Sequence, residues 1–204
     1  MTNFVYTGDL PSSLKLGGDI AVDTEAMGLN NKRDRLCVVQ ISDGNGDAHL
    51  VQFEQNKYAA PNLIKLLSDE NHTKIFHFAR FDLSIMRHYL GLSIHNVYCT
   101  RTASRLVRTY SDKHGYKDIC KELLGVDVSK QQQSSYWGGQ TLTNEQIDYA
   151  ASDVLYLHRL KAKLDEMLER EGRSELAKAI FNFLPYRADL DLAGWENEDI
   201  FAHS

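Results

Sequence analysis

The segment at residues 143–172 constrains the fold of this chain more than any other, because it carries helix signals at both ends. Thr143 and Gln146 form a capping-box pattern, in which each side chain hydrogen-bonds the backbone N–H of the other. Gly172 stands where a helix C-terminus is expected. Apolar residues recur between them with the helical period: Ile147, Ala150, Ala151, Val154, Leu157, Leu160, Leu164, Met167 and Leu168. The sequence therefore predicts one long helix over 143–172.

Tyr149 and Asp153 lie four residues apart on this predicted helix. Side chains at that spacing share a helix face, so the phenol and the carboxylate are expected to be neighbours. A single pair of this kind is usually a solvated aspartate beside a tyrosine at the edge of the core. It indicates a functional site only if further carboxylates converge on the same place.

Length and composition indicate a single domain over residues 1–204. The chain has 43% apolar residues, enough to bury a sizeable core. It has no apolar run of membrane-spanning length and no leader at residues 1–15, so we expect no membrane association. Cys37, Cys99 and Cys120 have neither paired nor metal-type spacing, which predicts buried free thiols and a cytoplasmic location.

The net charge of −5 argues against a nucleic-acid-binding protein that relies on bulk positive charge. It does not argue against a nuclease whose own carboxylates hold cations, because bound divalent ions offset the charge of their acidic ligands. Composition alone therefore leaves both classes open.

Hydrophobic periodicity and turn signals predict alternating strands and helices over the whole chain. The strands fall at 19–25, 36–41, 48–53, 74–78 and 96–99, and the helices at 61–67, 81–90, 101–110, 116–124, 143–172 and 174–184. Three strands in succession, followed by alternating helices and strands, are typical of a mixed β-sheet flanked by helices. The predicted fold class is α/β.

Three more acids stand at the ends of predicted elements. Asp23 and Glu25 end the first strand, and a spacing of two places both carboxylates on one face. Acidic residues are disfavoured in strands, so this pair indicates more than solvation. Asp82 begins a helix directly after a buried strand, at the sheet edge where α/β proteins collect their sites. The helix dipole would by itself account for an aspartate in a first turn, so Asp82 acquires functional meaning only together with the others.

The four acids would form a metal site if they converged: Asp23, Glu25, Asp82 and Asp153. Two carboxylates about 4 Å apart repel by about 4 kcal/mol at an effective dielectric of about 20. Four of them therefore require cations or raised pKa values. Oxygen ligands favour two Mg²⁺ or Mn²⁺ ions, an arrangement that promotes in-line displacement at phosphorus. A phenol with a pKa near ~10 is a poor base at neutral pH, so Tyr149 is better suited to orient the attacking water.

Three segments resemble the exonuclease motifs of the DEDD superfamily, in their order: residues 23–25 (Asp-Thr-Glu), 77–82 (His-Phe-Ala-Arg-Phe-Asp) and 149–153 (Tyr-Ala-Ala-Ser-Asp). A tyrosine four residues before the last aspartate is similar to the tyrosine subclass, typified by ribonuclease D. The resemblance implies an RNase H-like fold and metal-dependent 3′→5′ release of nucleoside 5′-monophosphates. It also implies five catalytic residues, of which the four acids hold the metal ions: Asp23, Glu25, Asp82, Tyr149 and Asp153.

Further segments resemble nano-RNase C, the small ribonuclease D-like branch that cleaves dinucleotides: residues 8–11, 27–29, 129–135 and 199–204. This similarity implies a homo-oligomer, built as a ring-shaped octamer, that acts on the 3′ ends of very short RNA. The helical RNA-binding domains that follow the exonuclease domain of ribonuclease D are not expected here. We expect their absence to favour short substrates or self-assembly.

Six residues near these motifs are candidate substrate contacts: Thr24, Leu29, His77, Phe81, Arg101 and Lys130. Leu29 resembles a family wedge between the last two bases, and the alternative is an ordinary core leucine. His77 and Phe81 flank Asp82, so they are placed to stack on or bond the terminal nucleotide, or else to pack against the sheet.

Basic residues on the helix at 101–110 are candidate phosphate contacts. Arg101, Arg105 and Arg108 are three or four residues apart and share a predicted face, near a helix N-terminus that favours anions. A solvated helix face and a subunit contact are the alternatives. Lys130 lies in a polar loop before the long helix, where it could cover a bound phosphate.

Two functional alternatives remain beside the hydrolysis of very short RNA. The same chemistry could serve ribonuclease D-like trimming of longer RNA 3′ ends, or the digestion of DNA. Alternatively, the chain could bind RNA as a relative that has lost catalysis. The presence of all four acids and the tyrosine argues against this last class.

Overall fold

The strands of the protein form one mixed sheet in the computed structural model, which describes residues 2–129, 131–132 and 134–203. They are β1 (Asn3–Thr7), β2 (Ile20–Ala26), β3 (Leu36–Ser42), β4 (Ala48–Gln52), β5 (Lys74–Phe76) and β6 (Val97–Cys99). The spatial order is β1-β4-β3-β2-β5-β6. Strand β3 is antiparallel to β2 and to β4, whereas the other neighbouring strands are parallel. The predicted mixed sheet is confirmed.

Seven α-helices surround this sheet in the described residues. They are α1 (Pro61–Ser68), α2 (Ala79–Leu90), α3 (Thr100–Val107), α4 (Tyr116–Leu124), α5 (Asn144–Leu155), α6 (Leu157–Arg170) and α7 (Ser174–Leu190), which continues into a π-helical turn at Asp191–Trp195. Helix α5 packs across β1, β2, β3 and β4, while α2 packs against α7. Across the described ranges, no helix combines the length and apolar character that a membrane span needs.

The long helix predicted over 143–172 is two helices, separated at Tyr156. The N-terminal capping box is confirmed, with hydrogen bonds of 2.9 Å and 3.2 Å between Thr143 and Gln146. At Tyr156 the backbone has φ −104° and ψ −4°, which interrupts the helix. Helix α5 then lies on the sheet, whereas α6 packs on α3, α4 and β5. Hydrophobic periodicity records which residues are buried, so it does not reveal this change of partner.

Three further predictions about element bounds were wrong. Strand β1 was not predicted; its short edge position leaves Phe4 and Val5 exposed and gives no clear alternation. Helix α7 runs past the predicted end at 184, because Pro185 is buried against the core and the helix continues around it. The helix predicted at 101–110 is α3, which begins at Thr100 and already ends at Val107; the Thr100 hydroxyl donates to the Phe76 carbonyl at 3.0 Å.

The free edge of β2 places the functional segments next to each other. Strand β5 pairs with β2 only at Ile20 and Ala21. The chain leaves β5 after Phe76 and enters α2 at Ala79, with two residues between them. The rest of that edge of β2 therefore faces the first turn of α2.

The three cysteines are buried and free, as predicted.

Candidate active site

Asp23 and Glu25 project from the last part of β2, and the neighbouring strand supplies a partner for one of them. The antiparallel register places Gln40 of β3 opposite Asp23. The Gln40 amide donates a 2.6 Å hydrogen bond to the Asp23 carboxylate. Gln40 is fully buried, and within the described part of the chain its Oε1 has no hydrogen-bond partner. Burying an amide with one unpaired atom costs free energy, so Gln40 does not stabilise the strand by its burial. We infer that its contribution is to orient the Asp23 carboxylate.

Asp82 is held by β2, the strand that carries Asp23 and Glu25. It lies in the first turn of α2 and is buried. The Thr24 hydroxyl donates a 2.6 Å hydrogen bond to its carboxylate. Thr24 was predicted as a substrate contact, and in the structure its hydroxyl is engaged with Asp82. It also lines the same cavity as the acids.

Asp153 reaches the same place from α5. Carboxylate oxygens of Asp23, Glu25 and Asp153 lie within 4.8 Å of one another. Tyr149 lies one turn before Asp153 and lines the cavity with it, as the helical spacing predicted. Carboxylates at these distances, on a β-strand and a facing helix, form a pocket that a divalent cation fits.

Burial and mutual repulsion raise the pKa values of the clustered acids. Burial raises the pKa of Asp23 to about 7, against the opposing hydrogen bonds from Thr24 and Gln40. Burial, followed by the charges of the other acids, raises the pKa of Glu25 well above its ordinary value. The pKa values of Asp82 and Asp153 are raised by burial first and by the charge of Asp23 second. Without cations the cluster therefore holds protons at neutral pH.

The acids are suited to Mg²⁺ or Mn²⁺. All the donors are carboxylate oxygens, which these hard ions prefer, and no cysteine or histidine belongs to the close group of acids that the described residues form. The raised pKa values of Asp23 and Glu25 also favour cation binding. Burial raises both pKa values, neighbouring acids raise that of Glu25 further, and no positively charged side chain among the described residues lowers either of them. Bound cations would supply the positive charge.

The acids lie in a cavity of about 670 Å³. It also contains five of the six candidate substrate contacts near the motifs: Thr24, Leu29, His77, Phe81 and Arg101. The structure thus brings these candidates together in one place. Lys130 falls outside the described residues.

Leu29 and His77 occupy opposite situations in this cavity. Leu29 is 88% exposed, so the alternative of an ordinary core leucine is wrong. His77 is partly buried; its Nδ1 lies 2.9 Å from the Thr100 hydroxyl, and its ring lies 5.5 Å from that of Tyr116. Side-chain contacts therefore hold His77 in the wall of the cavity, whereas Leu29 lies at its solvent-exposed edge.

Tyr116 was not identified from the sequence, although it lines the cavity and supports α5. Its hydroxyl donates a 2.7 Å hydrogen bond to the carbonyl of Ser152, the residue before Asp153. The Ser152 hydroxyl in turn donates to the Tyr149 carbonyl at 2.8 Å. These bonds hold the turn that carries Tyr149 and Asp153. No local sequence signal distinguishes Tyr116 from other tyrosines of the chain.

The predicted basic face on α3 is wrong for Arg108. The helix ends at Val107, so the next residue leaves the helical register. Arg108 is fully buried, where it pairs with Glu122 and donates to the Ser104 hydroxyl at 3.0 Å. Arg105 is exposed, and Arg101 alone of the three arginines lines the cavity.

Comparison with known proteins identifies the class to which this fold and site belong. Residues 7–169 match the family described as 3′–5′ exonuclease. The chain therefore belongs to the 3′–5′ exonuclease family. Ribonuclease D from Sphingobium indicum is 32% identical over 156 residues, a match that covers 76% of this chain and 40% of that relative. The chain thus spans well under half the length of this ribonuclease D.

Within the family, the chain is similar over its whole length to the nuclease NrnC from Brucella melitensis. The structure of NrnC bound to pGG is 55% identical, with a TM-score of 0.95 over 100% of this chain and 98% of that one. The structure of NrnC with bound Mg²⁺ is 54% identical, with a TM-score of 0.96 over 100% of both chains. The predicted resemblance to nano-RNase C is confirmed.

A more distant structure defines the fold alone. RNase D from Escherichia coli is 24% identical and has a TM-score of 0.73 over 88% of this chain and 48% of that one. Together with the NrnC structures, it confirms the predicted RNase H-like fold with a mixed sheet flanked by helices.

Proposed function

We propose that this protein is a metal-dependent 3′→5′ exoribonuclease that hydrolyses very short RNA, chiefly dinucleotides, to nucleoside 5′-monophosphates. The observation that carries this proposal is that carboxylate oxygens of Asp23, Glu25 and Asp153 lie within 4.8 Å of one another in one cavity of the protein. The chain that forms this cavity belongs to the 3′–5′ exonuclease family. The likeness to NrnC bound to pGG supports a short substrate.

The dimensions of the cavity also favour a short substrate. Its volume of about 670 Å³ lies in the range of pockets that bind small ligands. Pockets of roughly 300–1,000 Å³ enclose most of the surface of a small ligand. A substrate of two nucleotides would place its scissile phosphate near the acids and its bases near the apolar mouth formed around Leu29.

Four acids would hold two Mg²⁺ or Mn²⁺ ions: Asp23, Glu25, Asp82 and Asp153. Such ions lower the pKa of an attacking water and stabilise the charge on a leaving 3′-oxygen. The protein orients its own ligands through the amide of Gln40 and the hydroxyl of Thr24.

Tyr149 is proposed to orient the attacking water through its phenol. Burial raises the pKa of Tyr149, and the charges of Asp153, Glu25 and Asp23 raise it further. The phenol therefore keeps its proton at neutral pH and cannot act as the base. As a neutral hydroxyl it can still donate or accept a hydrogen bond, which is what positioning requires.

A length-resolved degradation assay tests this function. End-labelled RNA of two and seven nucleotides, an RNA duplex and the matching DNA are incubated with the protein and Mg²⁺. We expect the dinucleotide to be cleaved fastest, and cleavage to stop when the metal is chelated. Equal rates on all RNA lengths would instead support ribonuclease D-like trimming, and preference for DNA would support a DNA exonuclease. Binding without cleavage would support the relative that has lost catalysis.

We also propose that the protein is a cytoplasmic homo-oligomer, an octamer by its likeness to nano-RNase C, in which residues 1–204 form one domain. An exposed aromatic group on α7 and the C-terminal segment supports self-association: Phe183, Tyr186 and Phe201. Light scattering at working concentration measures the particle mass. A mass near the 23.2 kDa of a single chain would contradict the oligomer.

A further inference from the structure

Phe78 adopts a backbone conformation that its side chain disfavours. Its φ is 70° and its ψ is 46°, in the left-handed region. The other non-glycine residues with positive φ in the described ranges are Asn56 and Asn96. Asparagine tolerates this region because its short polar side chain can bond locally, whereas a bulky aromatic residue cannot. Phe78 is therefore the strained exception.

The strained residue carries an exposed aromatic ring. Phe78 is 45% exposed, although Phe76, two residues before it, and Ala79, directly after it, are fully buried. It joins the end of β5 to the first turn of α2, the turn that carries Asp82. Backbone strain of this kind persists when the surrounding structure enforces it, and it is concentrated at functional sites.

Arg101 lies over the Phe78 ring. The carbon of its guanidinium lies 4.9 Å from the centroid of the Phe78 ring, in a cation–π contact. Arg101 belongs to the first turn of α3 and lines the acid cavity together with Phe78. The ring and the guanidinium thus lie against each other in the wall of the cavity that holds the acids.

Phe78 also stands at a boundary between two cavities. Leu29, Phe78 and Phe81 line both the acid cavity and an adjoining cavity of about 740 Å³. Leu29 projects into solvent beside this boundary. A base that leaves the acid cavity therefore passes an apolar edge and an aromatic face.

We propose that Phe78, supported by Arg101, is a stacking platform for a nucleobase of the bound oligonucleotide. The nature of the ligand rests on the proposed exoribonuclease function. Every base offers a π face, so a phenyl ring and a guanidinium plane bind bases without reading their edges. The platform would accordingly contribute affinity for all four bases and little discrimination among them.

Replacing Phe78 by asparagine removes the ring without adding backbone strain, so an effect on substrate binding can be assigned to the ring. The variant Phe78→Asn accepts positive φ, so it should fold and melt at or above the temperature of the wild-type protein. Phe78→Tyr keeps the ring and serves as the control. Removing one base-stacking residue should raise KM for a dinucleotide about 5- to 150-fold, while Phe78→Tyr remains close to the wild-type value.

Two abasic dinucleotides, each lacking one of the two bases, show whether this effect depends on stacking. We expect the KM penalty of Phe78→Asn to vanish on at least one of them. A penalty that persists on both, or no penalty on the intact dinucleotide, would overturn the platform. Arg101→Lys keeps the positive charge and loses the planar group, so its effect should also disappear on the same abasic dinucleotide; an undiminished effect would leave Arg101 outside the platform.

A binding measurement makes this inference testable apart from hydrolysis. The probe is the 5′-monophosphate of 2-aminopurine riboside, whose fluorescence is quenched when its base stacks. We expect quenching by the wild-type protein and by Phe78→Tyr, and its loss in Phe78→Asn. If RNA is not cleaved but this pattern appears, the proposed function fails and the platform stands. If RNA is cleaved and quenching is unchanged in Phe78→Asn, only the platform fails.

Discussion

Thr24 and Asp82 are joined by a 2.6 Å hydrogen bond although 58 positions separate them in the chain. The bond connects β2 to the first turn of α2 and so ties together two of the three acid-bearing segments. Both residues are buried. The hydroxyl satisfies a buried carboxylate with a neutral donor, and it leaves the negative charge of that carboxylate available to a cation.

This contact predicts that Thr24→Val and Thr24→Ser differ sharply. Valine has the shape of threonine but no donor, so a buried carboxylate loses a partner at a cost of about 1–3 kcal/mol in the free energy of unfolding. Serine keeps the hydroxyl and should lose much less. Urea denaturation of both variants in the presence of Mg²⁺ measures the difference. Equal unfolding free energies for the two variants would contradict the role given to the hydroxyl.

Gln40→Met should weaken metal binding about 10- to 100-fold, the usual effect of removing an outer partner of a metal ligand. Methionine fills the buried site without donating to Asp23. The control is Gln52→Met, because Gln52 is another buried glutamine of the sheet that donates to the Gly139 carbonyl. Calorimetric titration with Mn²⁺ measures both affinities. Equal affinities in the two variants would exclude a specific role of Gln40.

Asp153→Asn should reduce hydrolysis of a dinucleotide by about 10³-fold or more, since metal ions contribute several kcal/mol to such reactions. The fold should be retained, because asparagine has the same shape and removes a repulsive charge from a cluster of acids. Circular dichroism and thermal melting check the fold beside the product assay. Asp148→Asn, an exposed aspartate on the same helix, is the matched control. Unchanged turnover in Asp153→Asn would remove this residue from the site.

Removal of divalent ions should make stability depend on pH in a particular direction. The pKa of Asp23 is about 7 in the folded protein, against an ordinary value of 3.8, because the group is buried. The metal-free folded state therefore binds more protons than the unfolded chain between those values, so its stability falls as pH rises through that window. Ions bind the deprotonated acids, and Mg²⁺ should raise the melting temperature more at about pH 8 than at about pH 6. Equal Mg²⁺-induced shifts at both values would contradict this.

The elements that hold the acids could be predicted because their signals are local. The capping box at Thr143 and the spacing of Tyr149 and Asp153 require only a few neighbouring residues to be recognised. The same is true of Asp23 and Glu25 on a strand. The resemblance of three ordered segments then brought these acids into one expected site, and the structure places them in one cavity.

The remaining features depend on contacts between distant segments. Gln40 matters because an antiparallel register sets it opposite Asp23, and the register cannot be read from β3 alone. The exposed position of Phe78 could not be predicted, because its φ is positive and phenylalanine rarely adopts that conformation. Arg108 was misplaced because α3 ends one residue before it, and helix ends are poorly marked when no glycine or proline stands there.

The pairing of β2 with β3 also limits which deletions the sequence of β2 can tolerate. Side chains alternate across a strand, so loss of a single residue between Ile20 and Asp23 would put Thr24 at the strand position of Asp23 and direct the two acids to the other face. The sheet could still form from the apolar residues of both strands. Such a deletion would remove the metal site, and length variation is therefore expected in the surface loops and not in β2.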